Sequence, residues 1–164
     1  MKYFVIVFIV LLSGGVGKII SDKYKNRVKC YKNLIKFADF LKLNIYSLNE
    51  NIVEIIDKFI LINEEFKSDY KQIKEMIIKN NLSSKELKLL SIFKELNDAE
   101  MLEVFNFFNL LGKNNFDLQI SLIENYLHIF NLKLGECEID MKQKGNISYK
   151  ISLCVGVMIS IIIV

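Results

Sequence analysis

Both ends of this chain are apolar to a degree that a water-soluble fold cannot easily use. Tyr3–Ile20 carries no charge before Lys18, and Ile151–Val164 carries none at all. As a helix the first run is about 27 Å long, close to the roughly 30 Å hydrocarbon thickness of a bilayer. The second is about 21 Å long, or about 27 Å once Ile147–Lys150 are added, with Lys150 reaching to the interface and Tyr149 anchoring there. Ser13, Gly14, Gly15 and Gly17 are small enough to let another helix approach the first span. A cleaved signal peptide is the competing account of that span. Lys18, Lys23, Lys25, Arg27 and Lys29 follow it directly, and such charge hinders translocation, so the anchor is preferred. A buried core helix competes for the second run, but a terminal run ending Ile161-Ile162-Ile163-Val164 without a polar face favours the membrane.

The flanking charges orient such a hairpin. Basic residues follow the first span, and Lys142, Lys144 and Lys150 precede the second, whereas Lys2 is the one basic side chain at the outer ends. The positive-inside rule then places the middle of the chain in the cytoplasm and both ends outside. About 125 residues remain between the spans, enough for one compact domain. Cys30, Cys137 and Cys154 are odd in number and far apart, which provides neither a disulfide framework nor a metal cluster. The middle has no proline and repeats apolar residues at spacings of three and four, the signature of helices.

The periodicity predicts a first soluble helix from Ser21 or Asp22 to about Leu43, with Val28, Tyr31, Leu34, Ile35, Ala38 and Leu41 on its apolar face. A second is expected from Leu48 to Ile62 around Ile52, Ile55, Ile56 and Phe59, and a third from Glu64 to Lys79 around Phe66, Tyr70, Ile73 and Ile77. Ser83 with Glu86 reads as a capping box opening a helix through Leu87, Leu90 and Phe93. Asn97 with Glu100 repeats that signal before Met101–Leu111, and Gly112 stands where a helix C-terminus favours glycine. Ile120, Ile123, Leu127, Phe130, Leu134, Cys137 and Met141 form a coiled-coil-like seam, with Leu118, Leu122, Tyr126 and Ile129 beside it. Such a seam suits an intramolecular core first and self-association second. Gly145 is expected to bend the chain before the second span.

Charge is distributed unevenly. Residues 18–44 carry eight basic and two acidic side chains, and residues 45–147 carry 12 basic and 17 acidic. A basic helix leaving the bilayer suits anionic headgroups or an acidic partner, with Lys25, Arg27, Lys29 and Lys32 as its foremost contacts. The middle as a whole is near neutral, which disfavours nucleic acid. Catalytic chemistry has little material. His128 is the single histidine and has no nucleophile motif beside it, so it reads as a packing or surface residue. Gly14-Gly15-Val16-Gly17-Lys18 lacks the spacing of a phosphate loop. Glu64-Glu65 and Glu136/Glu138 lack calcium-loop spacing. No catalytic, cofactor-binding or metal-ligating residue is assigned, and no cofactor or small-molecule substrate is expected.

Tyr24-Lys25-Asn26-Arg27, Leu34, Leu41, Asn44-Ile45-Tyr46 and Leu48 behind an N-terminal anchor are followed by Met101-Leu102, Phe105, Phe108, Leu111-Gly112, Asp117, Gln119 and Ile123. With Lys142, Lys144 and a terminal apolar span, this order resembles the stage III sporulation protein AB family of endospore-forming bacteria. The family is richer in arginine, and its last span usually carries more glycine than Gly156 alone. The resemblance implies a protein of the mother-cell membrane facing the forespore, part of a multiprotein channel. It also implies a soluble domain similar to the cytoplasmic domain of the type II secretion platform protein F, docking a cytoplasmic secretion-type ATPase.

The expectation is therefore an all-α protein: an antiparallel helical bundle at 21–147 between transmembrane helices at 1–20 and 148–164. Its expected function is a non-enzymatic, membrane-anchored docking component of the mother-cell sporulation channel. Its partners would be the membrane, other channel proteins and the ATPase. The alternative is a small membrane-anchored regulator relaying a signal through its helical domain.

Overall fold

The computed structural model describes the backbone of residues 2–48, 51–113 and 115–163 and, within them, all side chains except those of 2–7, 46–48, 116 and 163. In chain order the elements are α1 (Lys2–Leu48), α2 (Ile52–Ile62), α3 (Lys67–Ile78), α4 (Ser84–Leu89), α5 (Asp98–Leu110) and α6 (Phe116–Asp140). A π-helical turn (Met141–Gly145) and α7 (Asn146–Ile163) complete it. No strand occurs among the described residues, in keeping with the expected all-α class. By packing, the chain divides into two compact units, Lys29–Leu134 and Met1–Val28 with Gly135–Val164. The expected divisions at 20 and 147 mark where apolar sequence stops, whereas the packing boundaries lie further inward.

A separate helix starting at Ser21 or Asp22 is not found, because α1 runs through both positions without a break. Serine and aspartate cap a helix where the chain arrives extended, and here it arrives already helical. Nor does α2 open at Leu48, where α1 ends. It starts after Asn51, whose side-chain oxygen accepts from the Val53 amide at 3.2 Å. The predicted start of α3 at Glu64 moves to Lys67.

The core of the Lys29–Leu134 unit is aromatic. The Phe37 ring is fully buried and lies 5.0 Å from Phe59, 4.9 Å from Tyr70 and 5.7 Å from Phe108 between centroids. Phe107 joins it to Phe130 at 5.3 Å. The Tyr70 hydroxyl donates to Asn33 Oδ1 at 2.8 Å, so its polar end is satisfied inside this core. Burial, with smaller electrostatic contributions from Cys30 and Asp69, holds the Tyr70 phenol well above its ordinary value. Helices α2 and α3 run antiparallel, shown by Phe59 against Tyr70 and by the Lys74–Asp57 ion pair at 2.6 Å. Within this unit α1 and α6 are antiparallel too, joined by Tyr31 against Phe130 and by Lys42–Glu124 at 2.7 Å.

The two capping boxes fare differently. Asn97 and Glu100 form theirs in full, with Asn97 Oδ1 accepting from the Glu100 amide at 2.9 Å and Glu100 Oε2 from the Asn97 amide at 2.8 Å. Ser83 does precede α4 but makes no side-chain cap bond, and α4 stops at Leu89 instead of continuing through Phe93. The reason is Asp69, buried on α3. Its carboxylate accepts from the Ser91 hydroxyl at 2.6 Å, the Ile92 amide at 3.0 Å and the Ser91 amide at 3.3 Å. Those donors turn to a fixed charge and not to carbonyls of a continuing helix, and residues 90–96 proceed as tight turns. Gly112 behaves as expected, closing α5 at φ +75°, where its amide donates to Gln119 Oε1 at 3.0 Å.

Candidate functional site

The structure's most distinctive local arrangement is a helix pair. In the unit formed by the two chain ends, α1 and α7 run antiparallel with small residues between them. A Cβ added at Gly17 would lie 2.8 Å from Ser152 Cβ and 3.1 Å from Tyr149 Cα. One added at Gly156 would lie 2.7 Å from Ser13 Cβ and 3.4 Å from Val10 Cα. Only hydrogen fits at either point. Between the two glycines, the Ser13 hydroxyl donates to the Ser152 carbonyl and the Ser152 hydroxyl to the Ser13 carbonyl. The same pattern thus stands in both helices, Ser13–Gly17–Ser21 and Ser152–Gly156–Ser160, each in steps of four.

The outer surface of this pair reverses the usual order. Phe8, Leu11, Leu12, Val16 and Ile19 on α1 and Ile151, Met158, Ile161 and Ile162 on α7 are all more than half exposed. Ser13, Gly17, Ser152 and Gly156 face the partner helix, and these large apolar side chains face out. Gly14 and Gly15, expected with Gly17 to receive another helix, have no neighbour within 4 Å of an added Cβ. Cys154 also lies exposed, while Cys30 and Cys137 are buried.

The π-helical turn sets the phase of α7. Ile123, Phe130 and Cys137 are buried at intervals of seven, and the next such position would be Lys144. The turn absorbs one extra residue, so the buried position falls on Gly145, which an added Cβ would place 3.4 Å from Tyr24 Cβ. Gly145 was expected to bend the chain; instead it permits close approach inside a continuous helical path. Lys144 stays outside and pairs with Asp140 at 2.7 Å, a hydrogen bond that raises its pKa. Asp140 also meets Arg27 at 3.6 Å.

At one end of the small-residue seam lies an open cleft of about 470 Å³, lined by Lys18, Ser21, Lys25, Asn146, Tyr149 and Lys150. Lys25 pairs with Asp22 at 3.3 Å. Lys18 and Lys150 have no ion-pair partner among the described residues.

A family model for stage III sporulation protein AB matches residues 2–164. The chain belongs to the stage III sporulation protein AB family. No curated protein and no solved structure matches it. Membership in the stage III sporulation protein AB family gives the chain a sporulation-related role. Among the described residues no group of three His, Cys, Asp or Glu side chains is placed to hold a metal ion. One helical path among them, Asp117–Ile162, is long and apolar enough to cross a membrane. The predicted N-terminal span begins on residues 3–7, whose side chains lie outside the described ones.

Three of the four basic residues singled out in the sequence have an acidic neighbour. Lys25 is held by Asp22, Arg27 by Asp140, and Lys29 by Glu65 at 2.9 Å. His128 is exposed on α6, and Glu64 and Glu65 are exposed as well. What sequence reasoning missed is the convergence of Lys18 with Lys150. The signal was there in the matching small-residue patterns of the two ends, which fix an antiparallel register that brings these lysines to one level.

Proposed function

We propose that the chain is a non-enzymatic structural component of the mother-cell sporulation channel, anchored by both ends as a transmembrane hairpin, with the Lys29–Leu134 unit as a cytoplasmic docking domain. The observation that carries this reading is the inverted polarity of the α1–α7 pair. In lipid, helices gain nothing by hiding leucine from leucine, and they associate through small residues and hydroxyl hydrogen bonds. A seam of serine and glycine beneath an apolar exterior is what that solvent favours, and in water the same surface would aggregate. The basic residues just inside both apolar runs support the cytoplasmic placement. The docking role rests on family membership and on a separate helical unit with its own core. Its partner in this reading is a cytoplasmic secretion-type ATPase, on a domain similar to the secretion platform protein F.

Two measurements test this. A cysteine replacing exposed Asn80, with Cys154 changed to serine, should resist a membrane-impermeant thiol reagent in intact cells and react after permeabilisation. Labelling in intact cells would overturn the topology. Affinity purification from sporulating cells should recover a secretion-type ATPase, and deletion of the gene should block endospore formation. Normal sporulation without it would overturn the channel role.

A further inference from the structure

We propose that the cleft between α1 and α7 binds the phosphate-bearing headgroup of one anionic phospholipid, held between Lys18 and Lys150; the lipid source rests on the membrane-anchored reading above. The lining is rich in donors and poor in acids. Three lysines, the buried Ser21, Asn146 and Tyr149 line about 470 Å³ of open space. Of these lysines Lys25 is paired, with Asp22 at 3.3 Å. The other two lysines come from different helices and line the same cleft without an ion-pair partner among the described residues. Like charges brought together in this way are relieved by an anion with several oxygens, which a phosphodiester supplies.

The surroundings favour a lipid over a free phosphate. Ile19, next to Lys18, is 72% exposed, and Ile151, next to Lys150, is 56% exposed. The same stretches of α1 and α7 that supply the lysines thus also expose apolar surface for acyl chains. The site also lies where the uncharged runs meet the first lysines, the depth at which a headgroup sits in a bilayer.

The test is native mass spectrometry of the purified full chain in mild detergent, titrated separately with phosphatidylglycerol, phosphatidylcholine and inorganic phosphate. Phosphatidylglycerol should saturate as a single adduct at a concentration at least tenfold below that for phosphatidylcholine. Replacing both lysines (Lys18→Gln with Lys150→Gln) should weaken it about 30-fold, on the attraction expected of two lysines near an anionic surface. Lys18→Arg with Lys150→Arg should keep the adduct, and so should Lys71→Gln with Lys94→Gln, a pair in the other unit. Equal retention of phosphatidylcholine, or an unchanged adduct in the double glutamine variant, would overturn the site. Displacement of the lipid by millimolar phosphate would overturn the lipid as its source. Carbonate extraction of cell membranes tests the anchoring by itself. If the chain washes off there, the hairpin reading fails while the detergent titration still decides the headgroup site.

Discussion

At the scale of single residues, the same amino acid has different consequences according to what it faces. Gly17 and Gly156 are required by contact distance, whereas Gly14 and Gly15 face open space. With Ser13 and Ser152 both replaced by cysteine and Cys154 by serine, oxidation should join the pair, since the two serine Oγ atoms lie 3.3 Å apart. Adding Gly17→Leu should abolish that disulfide on a denaturing gel, and Gly15→Leu, the same change in apolarity, should leave it. Asp69 matters for a different reason. Its removal leaves the Ser91 and Ile92 amides without their acceptor, so Asp69→Ala should cost about 3 kcal/mol in denaturant titration of the full chain. Asp69→Asn keeps an acceptor and should cost less. The glycines announced themselves in the sequence but not which of them would be used. Asp69 gave no sign, because a carboxylate on a polar helix looks like any solvated charge until its tertiary partners are known.

At the scale of elements, local signals were read well where they were self-contained. The Asn97–Glu100 box and Gly112 depend on neighbours within a few residues, and both formed as written in the sequence. The helix start expected at Ser21 or Asp22 and the end of α4 were misread because each is decided from outside its segment, by the helix already running through Ser21 and by the Asp69 carboxylate. The π-helical turn was invisible for the same reason: only the contact between Gly145 and Tyr24 reveals which residue is supernumerary. An inserted residue held in a bulge can be removed without changing the phase beyond it. Deleting Gln143 should therefore preserve the cysteine crosslink between positions 13 and 152. Deleting Ser148, beyond the bulge, turns the rest of α7 by about 100° and should abolish it.

At the scale of the whole molecule, two kinds of interior occur in one chain. The Lys29–Leu134 unit buries phenylalanine and tyrosine, as a protein in water does, and the unit of the two ends buries serine and glycine. That contrast explains how far the candidate site was legible. Composition announces apolar ends, but a cleft built from one lysine of each end appears only when residues 18 and 150 share a level. The three cysteines divide along similar lines, two sealed in interiors and Cys154 on the outer face of α7. Thiol reagents select by access, so the natural chain accepts a fluorophore at that one position without mutation. In nanodiscs an environment-sensitive dye there should emit to the blue and escape quenching by iodide, and quenching as complete as for the free dye would contradict burial in lipid. Cys154 is thus a built-in depth gauge, reporting how far α7 sinks into the bilayer from the unaltered protein.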